Sequence, residues 1–62
     1  MKRRRLIRHL EAQDCKLVRE GRRHSWWENR TLNKRTAVPR HTEISDVLAM
    51  KICKDLGVEP PP

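Results

Sequence analysis

The sequence predicts a single α+β domain of order α-β-β-β-α, in which a three-stranded antiparallel sheet carries two helices on one face. Three observations lead to that expectation. Apolar residues recur at helical spacing near both ends of the chain, at Leu6, Ile7 and Leu10 and again at Leu48, Ile52 and Leu56. Between these stretches lie three short segments that favour strands, separated by polar turns. The chain has only 62 residues, and a domain of that size buries about 60% of its unfolded surface. One sheet and two helices exhaust such a core, which excludes a deep multi-substrate cleft.

The first helix is expected over residues 3–13, where Leu6, Ile7 and Leu10 form one narrow stripe among Arg4, Arg5, Arg8, His9 and Glu11. Asp14-Cys15 starts the exit. Cys15–Glu20 then reads as a strand, and Gly21-Arg22-Arg23 turns the chain into His24–Glu28, which holds two β-favouring tryptophans. Asn29–Lys34 is a polar loop. Arg35–Val38 makes the third strand, closed by Pro39, which cannot donate to a central ladder. Short connections between three consecutive strands imply an antiparallel meander. In the second helix Ser45 is the N-cap and Asp46 sits in the first turn, where a negative charge meets the helix dipole favourably. Gly57 falls where a left-handed residue ends the helix. The domain is therefore expected over residues 1–57, with 58–62 as a proline-rich tail in which Pro60-Pro61-Pro62 is disordered.

Charge points to the class of partner. Lys and Arg number 15 against 8 acidic residues. Residues 1–41 hold 13 basic and 4 acidic side chains, a net of +9, whereas residues 42–62 carry a net of −2. A cationic working half calls for an anionic partner, and because ten of the cations are Arg, bidentate contact with phosphate is favoured. The plainer alternative is a solvated basic surface that promotes solubility. No aliphatic run exceeds Val47-Leu48-Ala49-Met50, far short of a membrane span. The basic start Met1–Arg5 is followed by only Leu6-Ile7 before Arg8, which is no signal-peptide core. Two cysteines, Cys15 and Cys53, are too few for a secreted disulfide scaffold and sit at apolar positions, so a reduced, cytoplasmic chain is expected. No metal or other cofactor is expected either. His9, Cys15, His24, His41 and Cys53 fall on different elements, with no pair at zinc-ligand spacing.

One site can be built from residue chemistry alone. RNA carries its own nucleophile, the 2′-OH, so cleaving it requires a group that titrates near neutrality and a cation for the charge developing on phosphorus. His24 beside Arg22 and Arg23 at a hairpin turn is a minimal set of that kind, with Arg favouring the neutral imidazole while binding phosphate. A surface histidine in an ordinary turn is the bland alternative. His41, after Arg40 in the loop before the second helix, is either a second proton-transfer group or a structural hydrogen-bonder. Arg40 and His41 are grouped with the RNA-contacting residues. His9 is expected to be solvated. Adjacent strand residues face opposite ways. Trp26 therefore shares the face of His24 and forms a stacking platform beside it, and Trp27 packs under the helices against Leu6, Leu10, Leu48 and Ile52; a bulge at Arg22-Arg23 would shift the register by one residue and exchange these roles.

The element order is that of double-stranded-RNA-binding domains. Those domains rely on lysines at the start of the second helix, where this chain has Glu43, Ser45 and Asp46, so an ordinary duplex clamp is disfavoured. Arg19-Glu20-Gly21-Arg22-Arg23-His24, then Val38-Pro39-Arg40-His41 with Glu43-Ile44, and a second helix ending Asp55-Leu56-Gly57 together resemble the HicA toxins. These are the small mRNA-cleaving toxins of type II toxin–antitoxin pairs. The resemblance covers nearly the whole chain and implies a dsRBD-like fold, metal-independent endoribonuclease activity and a HicB-like antitoxin as partner. In that family a histidine following a Gly-Ser turn at the start of the second strand is catalytic. His24 occupies that place, but Arg22-Arg23 stands where the family has Gly-Ser. A small RNA-binding protein without catalysis is the alternative. A basic DNA-binding regulator would require a helix-turn-helix spacing that the chain lacks.

Overall fold

The computed structural model describes residues 1–62. Its elements are α1 (Arg3–Ala12), β1 (Cys15–Glu20), β2 (His24–Asn29), β3 (Lys34–Pro39) and α2 (Asp46–Leu56). The strands form one antiparallel sheet in the order β1-β2-β3. The expected α-β-β-β-α architecture is therefore present.

Helix ends follow from local chemistry. Ser45 caps α2, its Oγ accepting from the Leu48 N–H at 3.2 Å. At the other end Gly57 has φ 71°, and the N–H groups of Gly57 and Val58 bond to the carbonyls of Lys54 and Cys53 at 3.0 and 2.9 Å. That is a Schellman closure, and it favours a residue without a Cβ. α1 stops one residue earlier than its pattern suggested, because Asp14 takes a left-handed φ of 64° that reverses the chain into β1. Lys2, the N-cap of α1, offers no side-chain cap. Backbone pairing replaces it: Lys2 bridges Glu43, and the Arg3 N–H donates to the Thr42 carbonyl at 2.8 Å. An orphan N–H of the first turn is thus satisfied by a remote segment.

The inner face of the sheet buries Ser25, Trp27, Asn29, Thr36 and Val38. Trp27 and Val38 join Leu6 and Leu10 of α1, Ala49, Ile52, Cys53 and Leu56 of α2, and Cys15 and Ile44 in one core. Leu48 is half-buried at its edge. The Asn29 Nδ2 donates to the Leu56 carbonyl at 2.8 Å and so ties β2 to the end of α2. Both cysteines are free and buried, and burial pushes both thiols up.

One expectation needs correction. Beyond α2, Val58 packs on the core, the Glu59 carbonyl lies 2.6 Å from His9 Nε2, and Arg5 bonds the Pro62 carbonyl. His9 is accordingly half-buried rather than simply solvated. β1 does not alternate regularly, because its pairing with β2 slips between Leu17 and Arg19. Val18 is the extra residue of a β-bulge, and beyond it each side chain changes face. Arg19 therefore pairs with Trp26 on the outer face, and Glu20 pairs with Ser25 on the inner face.

Candidate active site

The β1–β2 hairpin is closed by the Gly21 N–H, which donates to the His24 carbonyl at 2.8 Å. A Cβ on Gly21 would lie 2.9 Å from that same oxygen, so the close approach of the two strands calls for glycine. Arg22 and Arg23 form the loop, and neither has a positive φ. The turn thus accommodates two bulky residues in place of Gly-Ser without a left-handed conformation. Both side chains are exposed, and neither belongs to any ion pair of the molecule. Their charge is free for a ligand.

His24 opens β2, exposed, opposite Pro39 of β3. Two residues on, Trp26 shares its face and is 37% exposed, against 5% for Trp27. A shallow depression is lined by Arg19, Gly21, Arg22, Arg23, His24 and Trp26. Four of the expected site residues, His24, Arg22, Arg23 and Trp26, are thus brought together. Arg19 is an addition, turned onto this face by the bulge.

Behind the hairpin a polar network fixes its base. Ser25, buried on the inner face, accepts from Arg3 Nη2 at 2.9 Å and donates to Glu20 Oε1 at 2.5 Å. Arg3 Nε donates to the Pro39 carbonyl at 2.8 Å. Arg40 Nη2 donates to Glu20 Oε1 at 3.0 Å and to the Gly21 carbonyl at 2.5 Å. The Ser25 hydrogen bond, with Arg40 and Arg3 nearby, holds the Glu20 carboxyl below the usual carboxylate range. Arg40, expected to contact RNA, is therefore bound to the base of the hairpin, although its side chain remains 45% exposed. His41 is exposed in the adjoining loop and does not line the depression. Glu20, Ser25 and Arg3 were not singled out from sequence. Ser25 was the one available signal, since a serine between His24 and Trp26 falls on the core face and requires a partner there.

A family model for the HicA toxin of bacterial toxin–antitoxin systems matches residues 3–58. The chain belongs to the HicA toxin family. No curated protein and no solved structure matches it. Membership makes this HicA protein a toxin with an antitoxin partner. The matched span takes in both helices and all three strands, and it ends on Val58, the residue that packs on the core beyond α2. None of its helices is long and apolar enough to cross a membrane.

Proposed function

We propose that this toxin is a metal-independent endoribonuclease that cleaves mRNA in the cytoplasm, with His24 as general acid/base, and that a HicB-like antitoxin silences it. The observation that carries this reading is the company His24 keeps: an exposed imidazole in one depression with Arg22 and Arg23, two cations that no carboxylate neutralises.

The chemistry needs little more. Neutral His24 takes the proton from the 2′-OH. The O2′–P bond forms as the P–O5′ bond breaks, and the imidazolium returns its proton to O5′. Products are a 2′,3′-cyclic phosphate and a 5′-hydroxyl. Arg22 and Arg23 offset the charge that accumulates on the phosphoryl oxygens, where guanidinium forks match two oxygens at once. Trp26 offers a ring on which an unpaired base stacks, worth roughly 1–3 kcal/mol. Because Arg22-Arg23 sits in the turn without left-handed strain, this reading is favoured over a binding protein that has lost cleavage. Incubating the full chain with mRNA in excess EDTA tests it. Fragments ending in 2′,3′-cyclic phosphate are expected; intact RNA, or fragments only when divalent metal is supplied, would overturn it.

A further inference from the structure

A second cationic cleft adjoins the first through Arg40. Lys2, Arg3 and Arg4 from the start of α1 line it on one side, and Arg40 and Thr42 from the loop before α2 line the other. No apolar side chain and no carboxylate lines it. Arg40 lines this cleft and not the His24 depression, but its Nη2 holds the Gly21 carbonyl at the base of the His24 hairpin and so ties the two together.

Two of the four cations are already paired, Lys2 with Glu43 at 2.6 Å and Arg40 with Glu20 at 3.0 Å. Arg3 and Arg4 are in no ion pair, so the cleft keeps a surplus of positive charge. Arg3 spends Nε and Nη2 on Pro39 and Ser25, which fixes its position. Arg4 is exposed and uncommitted. Thr42 is held in place by its carbonyl, which accepts from the Arg3 N–H at 2.8 Å. The charge is also locally unfavourable: α1 has no acidic residue in its first turn, and three successive arginines there oppose the helix dipole. An anion in the cleft relieves that repulsion.

We infer that this cleft binds a backbone phosphate of the RNA strand, flanking the nucleotide whose phosphate lies at His24. This rests on the reading of the hairpin as the RNA site and adds a second point at which the strand is held. Arg4 supplies the guanidinium fork, Thr42 a hydroxyl, and Arg40 links the two phosphate positions. A phosphodiester suits the cleft better than a protein surface does, because the core of a protein interface is depleted in charge and rich in apolar and aromatic groups.

The test uses wild-type full chain, Arg4→Ala, Thr42→Val and the control Arg8→Ala, which removes an equal charge from an exposed position of α1 outside the cleft. Binding is measured by fluorescence anisotropy on fully 2′-O-methylated RNA, a dinucleotide and a hexanucleotide, across a salt series. Methylation removes the nucleophile, so the result is independent of whether His24 cleaves. Each neutralised phosphate of a single strand contributes about 0.7 to the slope of log K against log salt. Arg4→Ala should therefore lower the slope by about 0.7 and weaken the hexanucleotide about fivefold at about 0.1 M salt. The dinucleotide, whose single phosphate fills the His24 site, should bind as before. Thr42→Val should weaken only the hexanucleotide, and Arg8→Ala neither. Equal losses for Arg4→Ala and Arg8→Ala would reduce the effect to the general field and overturn the site. Hexanucleotide binding that survives Arg4→Ala while antitoxin binding is lost would overturn it in favour of a protein contact. A wild-type chain that binds neither oligomer would overturn the hairpin reading as well.

Discussion

Replacing Trp27 by alanine removes the one aromatic ring of the core. A buried tryptophan takes about 150–250 Å² out of water, which at about 25 cal/mol per Å² corresponds to about 4–6 kcal/mol. Direct truncations of buried aromatics cost about 3–5 kcal/mol. A domain of 62 residues has a total stability of about 3–9 kcal/mol, so Trp27→Ala should remove a large part of it. Where a transition survives, each kcal/mol lost lowers Tm by about 4–8 °C in a domain this small. Trp27→Phe separates packing from polarity. The Trp27 Nε1–H is buried without a partner in the chain, at a cost of about 1–3 kcal/mol. Phenylalanine removes that orphan donor while leaving a gap worth about 1 kcal/mol, and should fold nearly as well as the wild type. Urea titration followed by far-UV circular dichroism reads all three proteins, with Trp26→Ala as the exposed counterpart. A Trp27→Ala variant no less stable than Trp26→Ala would refute the assignment of faces and the core built on it.

Other expectations are narrower. Gly21→Ala places a Cβ against the His24 carbonyl and should slow cleavage about tenfold or more by displacing His24, with a Tm loss of a few degrees; unchanged initial rates would contradict the hairpin's role. Hydrogen bonds and neighbouring cations hold the carboxyls of Glu20, Glu28, Glu43 and Asp55 below their ordinary range. Because the folded values are depressed, their stabilisation is complete above the ordinary carboxylate value of about 4 and is lost as pH falls through the folded values. Glu20→Gln should flatten that acid limb in thermal melts, and an identical limb in wild type and variant would count against the network. The antitoxin should associate at a rate that falls steeply between about 50 and about 500 mM salt, since residues 1–41 carry a net of +9; a flat stopped-flow profile would exclude electrostatic steering.

Much of this was legible because local chemistry decides it. Ser45 and Gly57 bound α2 by capping alone, and alternation along β2 puts Trp27 inside and Trp26 outside with His24. What stayed hidden depends on pairing between remote segments. The bulge at Val18 has no sequence signal, yet it turns Arg19 toward Trp26 and Glu20 toward Ser25. Alternation from Cys15 places Leu17 inside, but it remains 45% exposed, lying in an edge strand that the helices cover only at its Cys15 end. Arg40 reads as a free cation until its carboxylate partner Glu20 is located, and the pairing of Lys2 with Glu43 joins segments 41 residues apart in a chain of 62. Four residues of the hairpin depression, Arg22, Arg23, His24 and Trp26, lie in one short stretch and were legible. The residues that hold them in place are scattered over four elements and were not.

His24→Ala tests the central claim most directly. The side chain is exposed and contributes nothing to the core, so the variant should melt within about 0.5 kcal/mol of wild type and keep its affinity for methylated RNA. Cleavage of unmodified mRNA in EDTA should vanish, and with it growth arrest on expression. A folded His24→Ala protein that degrades mRNA at the wild-type rate would contradict the account.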